Sequence, residues 1–169
     1  MKQQGYPYQF VGTDTTDSDQ YLQKTFIYRF RSTKSGHRYT VQVEQYIDNL
    51  YCIKFFDEAT KLVLGKFSQL SGTYEPRAIF STVADIALDI YNKDSLASFC
   101  FVGASDGKDN APEVKNRRYR VYSLYLKDLG IEHLFKPWFI DRYSMCVLVN
   151  LKAVADRQAY VSSIVTFFT

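Results

Sequence analysis

Residues 76–107 read PRAIFSTVADIALDIYNKDSLASFCFVGASDG and carry the strongest structural signal in the chain. They predict a helix over 76–92, because Pro76 suits a first helical turn and apolar side chains recur every three or four residues. The side chains on this stripe are Ile79, Val83, Ile86 and Ile90. Thr73 or Glu75 is the expected N-terminal cap, since either side chain can accept from the first free amides.

A short apolar run, residues 97–102, follows this helix and ends in the small-residue turn 103–107. A run of this length between turn residues is typical of a central strand covered on both faces. The turn after such a strand lies at the rim of the domain, so we expect any chemistry to gather there.

A second helix is predicted over residues 114–129, and basic side chains crowd its start. The helix macrodipole favours negative charge at this end, so the cluster requires either an acidic neighbour or an anionic ligand. The predicted binding residues, from the turn to this helix, are Ser105, Asp106, Lys115, Arg117, Arg118, Arg120 and Tyr122.

Three partners for Arg118 stay open at this point. Asp106 or Asp109 of the preceding loop can pair with it, which makes the cluster purely structural. An external phosphate or nucleic acid is the second partner, because arginine interleaved with tyrosine can hold a phosphate backbone and stack on a base. A partner protein is the third.

The first half of the chain predicts an antiparallel meander. Residues 1–24 form a polar N-terminal arm, in which residues 8–11 can pair as an edge strand. From residue 25, apolar and polar side chains alternate with period two, and Asp48-Asn49 marks a tight hairpin. Further strands are expected at 50–56 and 61–67.

The second half predicts two more strands and a last helix. Gly130 is the expected left-handed residue that ends the helix 114–129. Strands follow at 134–140 and 145–151, and an apolar tail at 164–168 either docks on the sheet or meets a second copy of the chain. The whole order predicts one α+β domain over 25–169, with a mostly antiparallel sheet and two or three helices packed on it.

Composition narrows the classes of function. A net charge of +3 over 169 residues is too small to argue for nucleic acid by itself. Three cysteines in apolar runs predict buried, reduced thiols in a cytoplasmic protein. The chain shows neither an apolar signal core at its start nor an apolar run long enough to span a membrane.

Catalytic and metal-binding motifs are missing from the sequence. His37 and His133 lie outside any metal-ligand spacing, and both are expected at the surface. There is no Cys-x-x-Cys pair, nucleophile elbow, phosphate loop or dinucleotide fingerprint. We therefore expect no metal and no cofactor. Enzymatic activity stays uncertain, with a non-enzyme favoured.

An F-x-T-V helix contains Phe80, Thr82 and Val83, and an apolar strand ending in a small-residue turn follows it at 101–105. An R-x-R-x-Y helix then contains Arg118, Arg120 and Tyr122. These central motifs resemble a family of small uncharacterised bacterial and phage proteins. The likeness covers residues 76–129. The resemblance implies the same order of helix, strand and helix, and an origin near mobile elements, but no reaction.

These observations leave three hypotheses for function. The first is a non-catalytic module that binds a host protein or a second copy of itself, including a possible homodimer through the C-terminal segment. The second is binding of nucleic acid or nucleotide phosphates through residues 115–120. The third is an enzyme of unfamiliar type built on Ser105, Asp106 and Arg118.

Overall fold

The computed structural model describes residues 4–16, 18–60, 75–102, 124, 126–143 and 145–168. In these residues the chain forms one seven-stranded sheet with a helix packed on each face. The elements are, in chain order, β1 (Tyr8–Asp14), β2 (Leu22–Arg31), β3 (Arg38–Tyr46), β4 (Leu50–Asp57), α1 (Pro76–Lys93), β5 (Ser98–Val102), β6 (Phe135–Ile140), β7 (Met145–Asn150) and α2 (Arg157–Phe168).

The strand order across the sheet is β1-β2-β3-β4-β5-β7-β6. Within this sheet β4 and β5 run parallel, and every other neighbouring pair runs antiparallel. The predicted α+β class with a mostly antiparallel sheet is therefore confirmed. The parallel pair follows from α1, because a helical crossover returns the chain to the sheet in the same direction.

Two turns set the register of strands β2, β3 and β4. Asp48 and Asn49 both have positive φ, at 61° and 57°, within the three-residue loop 47–49 that joins β3 to β4. Gly36, with φ of 78°, supplies the left-handed residue in the turn between β2 and β3. The hairpin predicted at Asp48-Asn49 is confirmed, but its loop has three residues and not two, because Tyr46 pairs with Leu50.

The predicted helix at 76–92 is confirmed as α1, with Pro76 as its first residue. It buries ten residues, including the whole predicted stripe. These pack on Tyr51, Ile53 and other side chains of one sheet face. The helix ends where the backbone N–H of Asp94 donates to the Ile90 carbonyl at 2.8 Å.

The opposite face of the sheet is covered by α2. Side chains alternate along β4, so Leu50 and Cys52 lie on this second face, where they join Val161 and Ile164 of the helix. Phe167 stacks on Tyr46 at 5.8 Å between ring centroids. The apolar tail thus docks on the sheet, the first of its two expected placements, and a homodimer through this segment stays a prediction.

Several sequence expectations fall on residues that the structure does not describe. The strand predicted at 61–67 and most of the helix predicted at 114–129 lie there, although residues 124 and 126–128 are helical. Gly130 has the expected left-handed conformation, with φ of 65°. Within the predicted N-terminal arm, the edge strand is present and extends to Asp14, and β2 already begins at Leu22.

The described helices include none that is both long enough and apolar enough to cross a bilayer.

Candidate functional site

The binding residues predicted from the sequence lie in segment 103–123, outside the described residues. This holds for Ser105, Asp106, Lys115, Arg117, Arg118, Arg120 and Tyr122 alike. Their proposed convergence on the end of β5 therefore stays a prediction. The described part of the chain presents other polar groups at the end of the sheet where α1 begins.

Glu75, immediately before α1, is the most densely hydrogen-bonded side chain at this end. It is only 6% exposed. Its Oε2 accepts from Ser32 Oγ at 2.6 Å and from the Tyr6 hydroxyl at 2.7 Å. Its Oε1 accepts from Ser35 Oγ at 2.8 Å. One carboxylate thus joins the N-terminal segment, the β2–β3 turn and the start of a helix.

This role differs from the expected one. Glu75 does occupy the N-cap position, but its side chain makes no capping hydrogen bond to the helix. Burying a carboxylate is costly unless hydrogen-bond donors replace its water. The hydroxyl groups supply those donors, and the positive end of the α1 macrodipole stabilises the negative charge further.

A histidine–aspartate pair lies in the same region. Nδ1 of His37 is 2.6 Å from Oδ2 of Asp57, whose side chain is buried. The other carboxylate oxygen of Asp57 accepts the backbone N–H of Ala59 at 3.0 Å. His37 is half-buried, with 37% of its side chain exposed, so it is less exposed than the sequence predicted. The carboxylate fixes the orientation of the ring.

Three arginines lie at the same end of the sheet as this pair. Arg29 and Arg31 alternate along β2 and so share a face, and the β2–β3 register places Arg38 directly opposite Arg31. All three side chains are exposed. Together with His37 they line an open cavity of about 1050 Å³, which we call the arginine groove.

The outer edge of the sheet at β1, which we call the β1 edge, is the second distinctive surface. Phe10 is 57% exposed and Val11 47% exposed. The register between β1 and β2 shifts between Phe10 and Gly12, so Val11 is the extra residue of a β-bulge. The other edge strand, β6, contains Lys136 and Pro137, and such residues discourage pairing with another strand.

The three cysteines are free and buried, as the sequence predicted. Cys52 of β4 lies opposite Cys100 of β5 in the parallel register. A hydrogen bond with Cys52, together with burial, raises the pKa of Cys100 well above the usual thiol value. Burial also raises the pKa of Cys146 to about 12. Cys100 and Cys146 are therefore neutral, unreactive thiols at pH 7.

Sequence reasoning missed the arginine groove, although part of its signal was visible. The alternation of β2 already places Arg29 and Arg31 on one polar face. The missing step was the strand register across the β2–β3 turn, which places Arg38 opposite Arg31.

Among the described residues, no group of three histidine, cysteine or acidic side chains is placed to hold a metal ion.

Comparison with known proteins adds no functional assignment to this geometry. The likeness of residues 76–129 to bacterial and phage proteins stays a prediction, because no family model, curated protein or solved structure matches this chain.

Proposed function

We propose that this protein is a non-catalytic protein-interaction module that pairs with a second copy of itself along the β1 edge. The observation that carries the proposal is the exposure of Phe10 and Val11 in the middle of an edge strand. An edge strand presents unpaired backbone N–H and C=O groups, and these form a template for another strand.

A second copy fits this edge because antiparallel pairing needs only one surface. A twofold axis near the middle of β1 brings the same strand from each copy together, with residue i facing j and j facing i. The exposed apolar side chains then meet at the centre, and the polar strand ends, such as Asp14, form the rim. Specific interfaces have this arrangement of apolar centre and polar rim.

The free thiols favour the reducing interior of the cell as the place where this module works. Cys52, Cys100 and Cys146 are all buried and unbridged. Proteins of oxidising compartments instead tend to use cysteines for disulfides.

Light scattering after size-exclusion chromatography tests the pairing over a range of protein concentrations. We expect the wild-type mass to rise with concentration towards twice the 19.6 kDa of one chain. Val11→Pro removes a backbone donor at the one β1 residue without a partner on β2, and so should abolish the rise while sparing the fold. Phe10→Asp should also abolish it.

Leu96→Asp is the matched control, because Leu96 is similarly exposed, at 53%, but lies far along the chain from β1. It should associate like the wild type. A wild-type mass of 19.6 kDa at every soluble concentration would rule out the proposed pairing. Equal loss of association in Phe10→Asp and Leu96→Asp would place the contact on another surface.

A further inference from the structure

We propose that the arginine groove binds a ligand carrying two or more phosphate groups, through the guanidinium groups of Arg31 and Arg38 with Arg29 beside them. This site is separate from the basic segment 115–120. It also does not depend on pairing along β1.

Two like charges lie directly opposite each other in the arginine groove. Arg31 and Arg38 are cross-strand partners on one sheet face, and like charges in this position destabilise a sheet. Neither guanidinium has an acidic partner within the described residues. A phosphate between them converts this repulsion into two charge-assisted contacts, which are the strongest hydrogen bonds that arginine makes.

The neighbouring acids are already occupied by other groups. The Asp57 carboxylate contacts the His37 ring nitrogen through one oxygen and accepts the backbone N–H of Ala59 through the other. Glu58 accepts a hydrogen bond from the Thr40 hydroxyl and lies 3.8 Å from Nε of Arg29. The positive charge of Arg31 and Arg38 is thus available to a ligand from outside the described residues.

The β2–β3 turn holds the groove in a fixed shape before any ligand arrives. Ser32 Oγ accepts the backbone N–H groups of Lys34 and Ser35 at 3.1 and 3.0 Å, and it donates to Glu75. Nε of Arg31 donates to the Gly36 carbonyl at 3.1 Å, which orients its guanidinium. A preformed site loses less conformational entropy on binding than a mobile one.

The shape of the groove favours a chain of phosphates over a single one. Arg29 and Arg31 are two residues apart on a strand, so their Cα atoms are about 7 Å apart along the sheet. The cavity is open and, at about 1050 Å³, much larger than one phosphate group needs. Linked phosphates can therefore contact successive arginines.

Two probes distinguish the possible sources of these phosphates. Inorganic tripolyphosphate is titrated by calorimetry, and a labelled single-stranded DNA of about ten nucleotides is titrated by fluorescence anisotropy. Each probe is used at low and high salt with the wild type and with Arg31→Gln/Arg38→Gln. The control is Arg142→Gln/Arg157→Gln, which removes the same charge from two exposed arginines outside the groove.

We expect the groove variant to weaken binding by about tenfold or more, since each lost hydrogen bond to a charged group contributes about 1.5–3 kcal/mol. The control should change affinity by less than about twofold. For DNA, the slope of log affinity against log salt should become shallower by about 1.4, corresponding to two lost phosphate contacts. Thermal melts confirm that both variants are folded.

Tight binding of tripolyphosphate alone identifies a small polyphosphate ligand, and tight binding of DNA identifies a nucleic-acid backbone; both support the proposal. Failure of the wild type to bind either probe at low salt would overturn it. Equal losses in the groove variant and the control variant would overturn it as well. The same titrations with Phe10→Asp separate this site from self-pairing, because that variant should bind normally.

Discussion

The two faces of the sheet are covered by helices that hold to it in very different ways. Helix α1 buries ten residues, whereas α2 buries two, Val161 and Ile164. The start of α1 is also tied through Glu75 to two other segments, the N-terminal segment and the β2–β3 turn. Helix α2 relies instead on ring stacking near its end, where Phe167 contacts Tyr21 and Tyr46.

Stability is therefore distributed unevenly across the molecule. Regions with few buried apolar contacts open locally at a lower free energy than the global unfolding free energy. We therefore expect the α2 face to open while the α1 face stays intact. Variants on the two faces test whether the α1 face is the more stable one.

The largest effect should come from shortening a core side chain on the α1 face. Ile86 in α1 and Ile164 in α2 are both almost completely buried, at 0% and 1% exposure, so they form a matched pair. We expect Ile86→Ala to lower the free energy of unfolding by about 4 kcal/mol and Ile164→Ala by about 2 kcal/mol. The smaller loss is expected at Ile164 because the more loosely held α2 can move to fill the cavity that the substitution leaves. Urea unfolding measures both, and equal losses would remove the contrast.

Removing the Glu75 carboxylate should cause the next largest loss in the free energy of unfolding. Glu75→Ala leaves the hydroxyls of Ser32, Tyr6 and Ser35 without their acceptor, and we expect a loss of about 3 kcal/mol. Glu132→Ala, at an exposed position, should change the unfolding free energy by less than about 0.5 kcal/mol. A Glu75 variant as stable as the Glu132 variant would show that the carboxylate does not hold α1.

A methyl group at Gly5 probes how closely the N-terminal segment packs on α1. A Cβ atom there would lie 2.7 Å from the backbone nitrogen of Thr82, which the helix holds in place. We expect Gly5→Ala to cost about 2 kcal/mol, the usual cost of overpacking. Gly12→Ala is the control, since its Cβ would meet open space. Thermal melts that show equal shifts would contradict this close packing.

The smallest effect should come from the end of α2, and it should appear as local opening. Phe167→Ala removes two stacking contacts, so α2 should undock more often, by about 1 kcal/mol or about fivefold. Alkylation of Cys52 and Cys100, which lie in the cluster beneath α2, should accelerate by that factor. Labelling of Cys146, in the cluster on the α1 side, should not change and serves as the internal control.

Much of the fold could be predicted from local patterns. The helix period at Ile79 to Ile90 and the apolar run of β5 gave correct elements, because each depends on neighbours in sequence. The Asp48-Asn49 turn was equally readable, since positive φ at two successive residues restricts the residue types. Strand β1 extends past the predicted end at residue 11 to Asp14. None of its residues is buried, so the sequence there lacks the alternation of apolar and polar residues that predicts a strand.

The polar end of the sheet could not be predicted in the same way. The Glu75 carboxylate accepts hydrogen bonds from the hydroxyl groups of Tyr6, Ser32 and Ser35. Its environment therefore depends on three contacts between residues that are far apart in sequence. The opposition of Arg31 and Arg38 depends on hairpin register, which the turn sequence alone left open. The basic cluster at 115–120 was conspicuous in sequence, and its role stays a prediction.

The parallel junction between β4 and β5 has a consequence for biosynthesis. Strands β1 to β4 pair with sequence neighbours, so they can assemble as soon as residue 57 has left the ribosome, before β5 has emerged. At about 5–20 residues per second, the 40 residues between β4 and β5 take about 2–8 s to synthesise. During that interval the edge of β4 (LYCIKFFD) that later pairs with β5 is unpaired, so this apolar strand can pair with another nascent chain.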